Sequence, residues 1–80
     1  MRTKVILDTR SQLQEFISIC EKMSGPVYLS DGSREFRVSA KSTLGCILAK
    51  VEWKDIYCEY DGDDAFLLEN KLRTSNLTAD

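Results

Sequence analysis

Apolar positions along this chain recur with two different periods. Residues 3–8, Thr-Lys-Val-Ile-Leu-Asp, are rich in β-branched and aliphatic side chains and predict a short first strand. Leu13, Phe16, Ile17, Cys20 and Met23 then recur at helical spacing and lay one apolar stripe along a helix. Ser18 and Ile19 fall off that stripe. Thr9-x-x-Gln12 and Ser11-x-x-Gln14 each fit a capping box at its start, and Asp8 is a third candidate cap. Ser24-Gly25-Pro26 ends the helix near Met23, with Gly25 as a left-handed cap and Pro26 barring continuation.

The period then changes to two. Residues 26–30 and 33–40 read as strands around Asp31-Gly32, the signature of a two-residue type I′ hairpin. Such a turn pairs Leu29 with Arg34 and Val27 with Phe36. It places Val27, Leu29, Phe36, Val38 and Ala40 on one face. A short apolar helix over 43–50 follows, with Ser42 as its N-cap; the hydroxyl can accept from a backbone N–H of the first turn. Gly45 inside that helix costs it roughly 1 kcal/mol relative to Ala, which points to something packed closely there. Residues 54–60 predict a fourth strand, with Ile56, Cys58 and Tyr60 alternating against Tyr57 and Glu59.

Asp61-Gly62-Asp63-Asp64 turns into a last helix over 63–73, its acidic residues suited to a first turn. Ala65, Leu68 and Leu72 are expected on the sheet, Phe66 and Leu67 off it, and residues 75–80 as a frayed tail. No repeat or linker divides the chain, so 1–80 is expected to form one domain. The element order β-α-β-β-α-β-α predicts an α+β fold, an open-faced sandwich whose four-stranded antiparallel sheet carries its helices on one face.

Composition narrows the function classes. Eighty residues bury only about 60% of the unfolded surface, so the core is thin and every element contributes to it. The net charge of −2, with both signs interspersed, leaves no basic stripe for nucleic acid. There is no apolar run of membrane-spanning length, and the apolar run near the N-terminus is short for a signal peptide, which suggests a cytoplasmic protein. Cys20, Cys46 and Cys58 are widely spaced and the chain has no histidine, so neither a zinc set nor Cys-His or Ser-His catalysis is expected. Glu59, Asp61, Asp63 and Asp64 lack the spacing of a calcium loop, and a helix start accounts for Asp63 and Asp64. The expectation is therefore a protein that is not an enzyme and holds no metal or cofactor.

One stretch carries a resemblance. Val38-Ser39-Ala40-Lys41-Ser42-Thr43-Leu44-Gly45-Cys46-Ile47-Leu48 resembles the segment around the regulatory serine of HPr, the phosphocarrier of the sugar phosphotransferase system. The HPr pattern there is a strand, then Lys-Ser, a hydrophobic pair, Gly and further apolar residues. HPr also has the predicted order of elements. Its carrier step uses a histidine at the start of the first helix, in a His-Ala-Arg-Pro sequence. The corresponding stretch here is Asp8-Thr9-Arg10-Ser11-Gln12-Leu13-Gln14, with no histidine and no proline. The chain is similar in this respect to HPr paralogues that keep only the serine.

The resemblance implies an HPr-like protein that acts by binding rather than by carrying phosphate. Ser42 is then the candidate for regulatory phosphorylation, and Lys41, Thr43, Leu44 and Ile47 form the candidate partner surface. The implied partners are proteins: a phosphotransferase-type enzyme, a kinase or a transcriptional regulator. Helix capping accounts for Ser42 without phosphorylation. Arg34, Arg37, Lys41, Lys50 and Lys54 flank the serine in sequence, either as a solvated face or as an electropositive rim. An alternative from another class is a small-molecule-binding or oligomerisation module built on the open sheet face, favoured if Tyr28, Trp53 and Tyr57 lie there. A monomer or weak homodimer, with no nucleic acid and no membrane, fits both.

Overall fold

The structure is a computed structural model, and it describes residues 1–79. Seven elements run in order: β1 (Arg2–Val5), α1 (Arg10–Glu21), β2 (Tyr28–Ser30), β3 (Arg37–Ser39), α2 (Thr43–Glu52), β4 (Ile56–Glu59) and α3 (Ala65–Thr74). The four strands form one antiparallel sheet in the order β1-β4-β2-β3. This is an α+β open sheet with three helices, as the sequence pattern predicts.

Strand alternation gives the sheet its two faces. Val5, Leu29, Ile56 and Cys58 point into the core, where they meet Leu13, Phe16, Ile17 and Cys20 of α1, Cys46 and Ala49 of α2, and Leu68 and Leu72 of α3. Ile19, which is off the apolar stripe of α1, is buried as well. The three cysteines are free and buried. The Cys20 thiol is pushed up first by its hydrogen bond with Cys58 and then by burial, and burial foremost pushes Cys46 up to about 12.

Of the two capping boxes, Thr9 with Gln12 is the one that forms. The Thr9 hydroxyl accepts from the Gln12 N–H at 3.1 Å, and the Gln12 side chain accepts from the Thr9 N–H at 2.9 Å. Gly25 does not take up a left-handed conformation; α1 ends instead in tight turns, with the Lys22 and Met23 N–H groups donating to Ile19 and Cys20 carbonyls.

The hairpin differs from its predicted register. Leu29 pairs with Val38 and Ser30 with Arg37, so residues 31–36 form the connection and Asp31-Gly32 is not a two-residue turn. The Asp31 carboxylate organises this loop, accepting from the Ser33 hydroxyl at 2.7 Å, and the left-handed position falls on Arg34, with φ 66°. Phe36 lies outside β3 and is exposed.

The last helix also starts differently. No acidic residue occupies its first turn. Asp64 is the residue before it, and its carboxylate accepts from the Tyr60 hydroxyl. Residues 75–79 are not a frayed tail. Asn76, with φ 58°, turns the chain back at the end of α3 while the Asn76 and Leu77 N–H groups donate to the Arg73 and Leu72 carbonyls, a Schellman motif. Leu77 is buried, and the Ile6 N–H donates to its carbonyl at 2.8 Å. Asp80, the end of the expected tail, lies outside the described residues.

Candidate functional site

Ser42 stands at the corner between β3 and α2. Its backbone is extended, and its hydroxyl accepts from the Gly45 N–H at 3.1 Å, the bond expected of an N-cap. Gly45 sits where α2 presses on β3: an added Cβ would lie 3.2 Å from the Val38 Cβ and 3.4 Å from the Ser39 carbonyl oxygen. The glycine therefore serves close packing inside the molecule and brings the start of α2 down onto the sheet. Ser42 itself remains exposed.

Packing divides the apolar residues of α2 between two sides. Cys46 and Ala49 are small and buried against the core. Leu44, Ile47, Leu48 and Val51 face outward, at exposures of 77, 43, 49 and 76%. Their spacing of three, one and three residues draws a single stripe along the outer face. Isolated exposed aliphatics are ordinary on a protein surface, but four on one helix face form a contiguous patch. Leu48 and Val51 belong with Leu44 and Ile47 in this patch. Val51 lies beyond the predicted helix end at residue 50, and on a helix with apolar residues on several sides nothing in the sequence marks whether the sheet covers Leu48.

Thr43 is exposed at the start of the stripe. Lys41 is directed elsewhere: its ammonium donates to the Met23 carbonyl at 2.9 Å, where it steadies the chain leaving α1. Of the five basic residues around this corner, Lys41 is thus engaged with a backbone carbonyl and Arg37 stacks on the Tyr28 ring. Residues 34–54 hold five basic side chains against two acidic, while the rest of the chain holds six against eleven.

No family model, curated protein or solved structure matches this chain. Its chemistry must therefore be read from its own side chains.

The open face of the sheet is occupied by interactions among its own groups. The Arg2 guanidinium lies 3.8 Å from the Tyr57 ring centroid and that of Arg37 lies 4.0 Å from the Tyr28 centroid, both stacked as cation–π pairs. Glu59 sits between them, accepting from the Ser30 hydroxyl at 2.6 Å and from Arg2 Nε at 3.1 Å. The Ser30 hydrogen bond foremost, with the Arg2 hydrogen bond and the charges of Arg2 and Arg37, holds the Glu59 carboxyl below its usual value. Tyr57 and Tyr28 thus both lie in this polar layer on the open face. Trp53 lies away from it, half-buried at the C-terminal end of α2 and packed against the core. Among the described residues no group of His, Cys, Asp and Glu side chains has the geometry to hold a metal ion. Glu59 and Asp64 are engaged with Arg2 and Tyr60 respectively. No helix among the described residues is long and apolar enough to cross a membrane.

Proposed function

We propose that this is an HPr-like binding protein that does not carry phosphate, and that the outer face of α2 is its docking surface for a protein of the phosphotransferase type, such as a sugar-specific enzyme, a kinase or a regulator. The observation that carries this is the exposed stripe Leu44, Ile47, Leu48 and Val51 beside an exposed serine cap. The element order, common to HPr and to this chain, supports the same reading. The chain has no imidazole, the group by which HPr forms and passes on a labile phosphate near neutral pH, and its three cysteines are buried. A phosphate on Ser42 would sit at the N-terminus of α2, where a negative charge is favoured, and would change the charge of the docking surface without breaking the fold.

The alternative of a ligand on the open face is less well supported, because the tyrosines and charged groups there already engage one another. The test uses the isotopically labelled protein titrated in turn with a purified sugar-specific phosphotransferase enzyme and with an HPr kinase. Amide shifts confined to residues 42–51, lost in a Leu44→Lys, Val51→Lys double variant that melts within a few degrees of wild type, are expected. Shifts that spare α2 with both partners, or their absence with both, overturn the reading. Acid-labile label reaching the protein from phosphoenolpyruvate through the general enzyme would contradict its non-carrier part.

A further inference from the structure

The sheet has two edges, and they are finished differently. β1 is covered on its outer side by the returning tail: the Ile6 N–H donates to the Leu77 carbonyl and the Ala79 N–H to the Lys4 carbonyl at 3.1 Å. β3 has no strand on its outer side among the described residues. The hydrogen bonds from the Asp31 N–H to the Phe36 carbonyl and from the Ala40 N–H to the Val27 carbonyl fix the phase of the hairpin ladder. Bonded rungs recur at every second residue of an antiparallel pair, so Val38 turns its backbone groups inward to Leu29 while Arg37 and Ser39 turn theirs outward. The Ser39 carbonyl is taken up by the Ser42 N–H at 3.2 Å. The N–H and C=O of Arg37 and the N–H of Ser39 remain aimed at the open edge.

A hollow of about 390 Å³ lies alongside, between β3 and the second half of α2. Phe36, Val38, Leu48 and Trp53 give it apolar walls, with Asp31, Arg37 and Glu52 also lining it. The opposite face of the edge carries the Arg37 guanidinium over Tyr28. An added strand would therefore meet two environments in alternation: apolar on the α2 side and cationic on the Arg37 side.

Charge selects the occupant. β3 carries one charged side chain, Arg37, so a second β3 brings no acidic partner for it, whereas an acidic residue set across from it makes an opposite-charge pair. We propose that the β3 edge takes an extended peptide of alternating acidic and apolar residues by strand addition, its apolar side chains entering the hollow against α2 and its acidic ones lying over Arg37. The site stands apart from the docking stripe, sharing only Leu48 with it. Residues opposite Arg37 and Ser39 are those that exchange backbone hydrogen bonds with them, so the acidic residues of the peptide present their amides to β3 and the apolar residues turn theirs away.

The probe is acetyl-Glu-Val-Glu-Val-Glu-Val-Glu-amide, titrated at low salt into the full chain with labelled amides. The Arg37 and Ser39 amides are expected to shift and to become protected from hydrogen exchange. N-methylation of the glutamate amides removes the bonds to β3 and should weaken binding about tenfold or more, whereas N-methylation of the valine amides should leave it within about twofold. A peptide with lysine in place of glutamate should not bind. A Leu44→Gln, Val51→Gln variant, which removes apolar side chains of the docking stripe without adding charge, should bind the probe unchanged. Equal binding by the two methylated peptides, or shifts restricted to the outer face of α2, overturns the proposal. So does a dimer of the unliganded chain, found by sedimentation, that protects Arg37 and Ser39.

Discussion

Tyr60 and Gly62 illustrate how much a single residue decides in a domain this small. The Tyr60 ring is buried, with its hydroxyl donating to Asp64 and accepting from the Gly25 N–H at 3.3 Å, so it ties the end of α1 to the start of α3. A Cβ on Gly62 would fall on the Tyr60 phenol. Gly62→Ala should therefore destabilise the protein by about 1–3 kcal/mol, the usual cost of overpacking. Gly32 makes the contrast: nothing lies near its Cβ position and its φ is not positive, so Gly32→Ala should stabilise by about 0.5 kcal/mol through the unfolded state. Urea melts of the two variants check both signs, and a Gly62→Ala protein as stable as wild type would show that Tyr60 can move freely. Ser42 is decided by the same kind of local geometry. Ser42→Ala should cost about 1 kcal/mol and Ser42→Asp very little, because aspartate also caps and its charge suits the helix N-terminus. Equal losses in the two variants would remove the cap from the account of this serine.

The elements were legible in the sequence to the extent that their signals are local. Every predicted strand and helix is present because periodicity and caps, such as Thr9 with Gln12, are written within a few residues. The hairpin register was not legible, because Asp31-Gly32 offers a two-residue turn while the Asp31 carboxylate instead organises a longer loop through Ser33. The register differs by a whole number of alternations, so Val27, Leu29, Val38 and Ala40 keep the predicted face, while Phe36 pairs with Asp31 at the loop end of the hairpin and is exposed. The corner at Ser42 was readable as a cap. The outer stripe of α2 was only half seen, since periodicity shows that a helix has apolar residues on two sides but not which side the sheet will cover. The tail carries a local signal of its own: an asparagine followed by an apolar residue after a helix that ends in Arg73-Thr74 is the pattern of a left-handed C-cap. Its structural weight can be measured. Leu77 is buried against the core beside β1, so Leu77→Ala should cost at least ~2 kcal/mol, well beyond what a frayed residue could lose. Thermal or urea unfolding indistinguishable from wild type would mean that the tail contributes nothing to the sheet edge.

At the scale of the whole molecule, the two faces of the sheet divide the work. One face holds the core, including all three cysteines; the other is a layer of charges and tyrosines centred on Glu59. That layer makes stability depend on pH in a direction that can be worked out. Hydrogen bonds from Ser30 and Arg2, with the positive charges of Arg2 and Arg37, favour the ionised Glu59 carboxylate, so its folded pKa lies below its unfolded value. A group shifted in that direction stabilises the fold above the unfolded pKa of about 4.3, and the contribution is lost as pH falls through the folded pKa. Asp31 is lowered as well, foremost by the Ser33 hydroxyl, and adds to the same acid limb from the hairpin loop. Glu59→Gln keeps the side-chain shape but removes the titrating group. The variant should be less stable than wild type near neutral pH, and the difference should shrink as pH falls below about 4, while the acid slope from Asp31 stays common to both proteins. Urea melts of both proteins between about pH 7 and pH 3 measure this. A gap that stays constant across that range would mean that the Glu59 contacts do not favour its ionised form and that the open face is held by the tyrosine–arginine stacks alone.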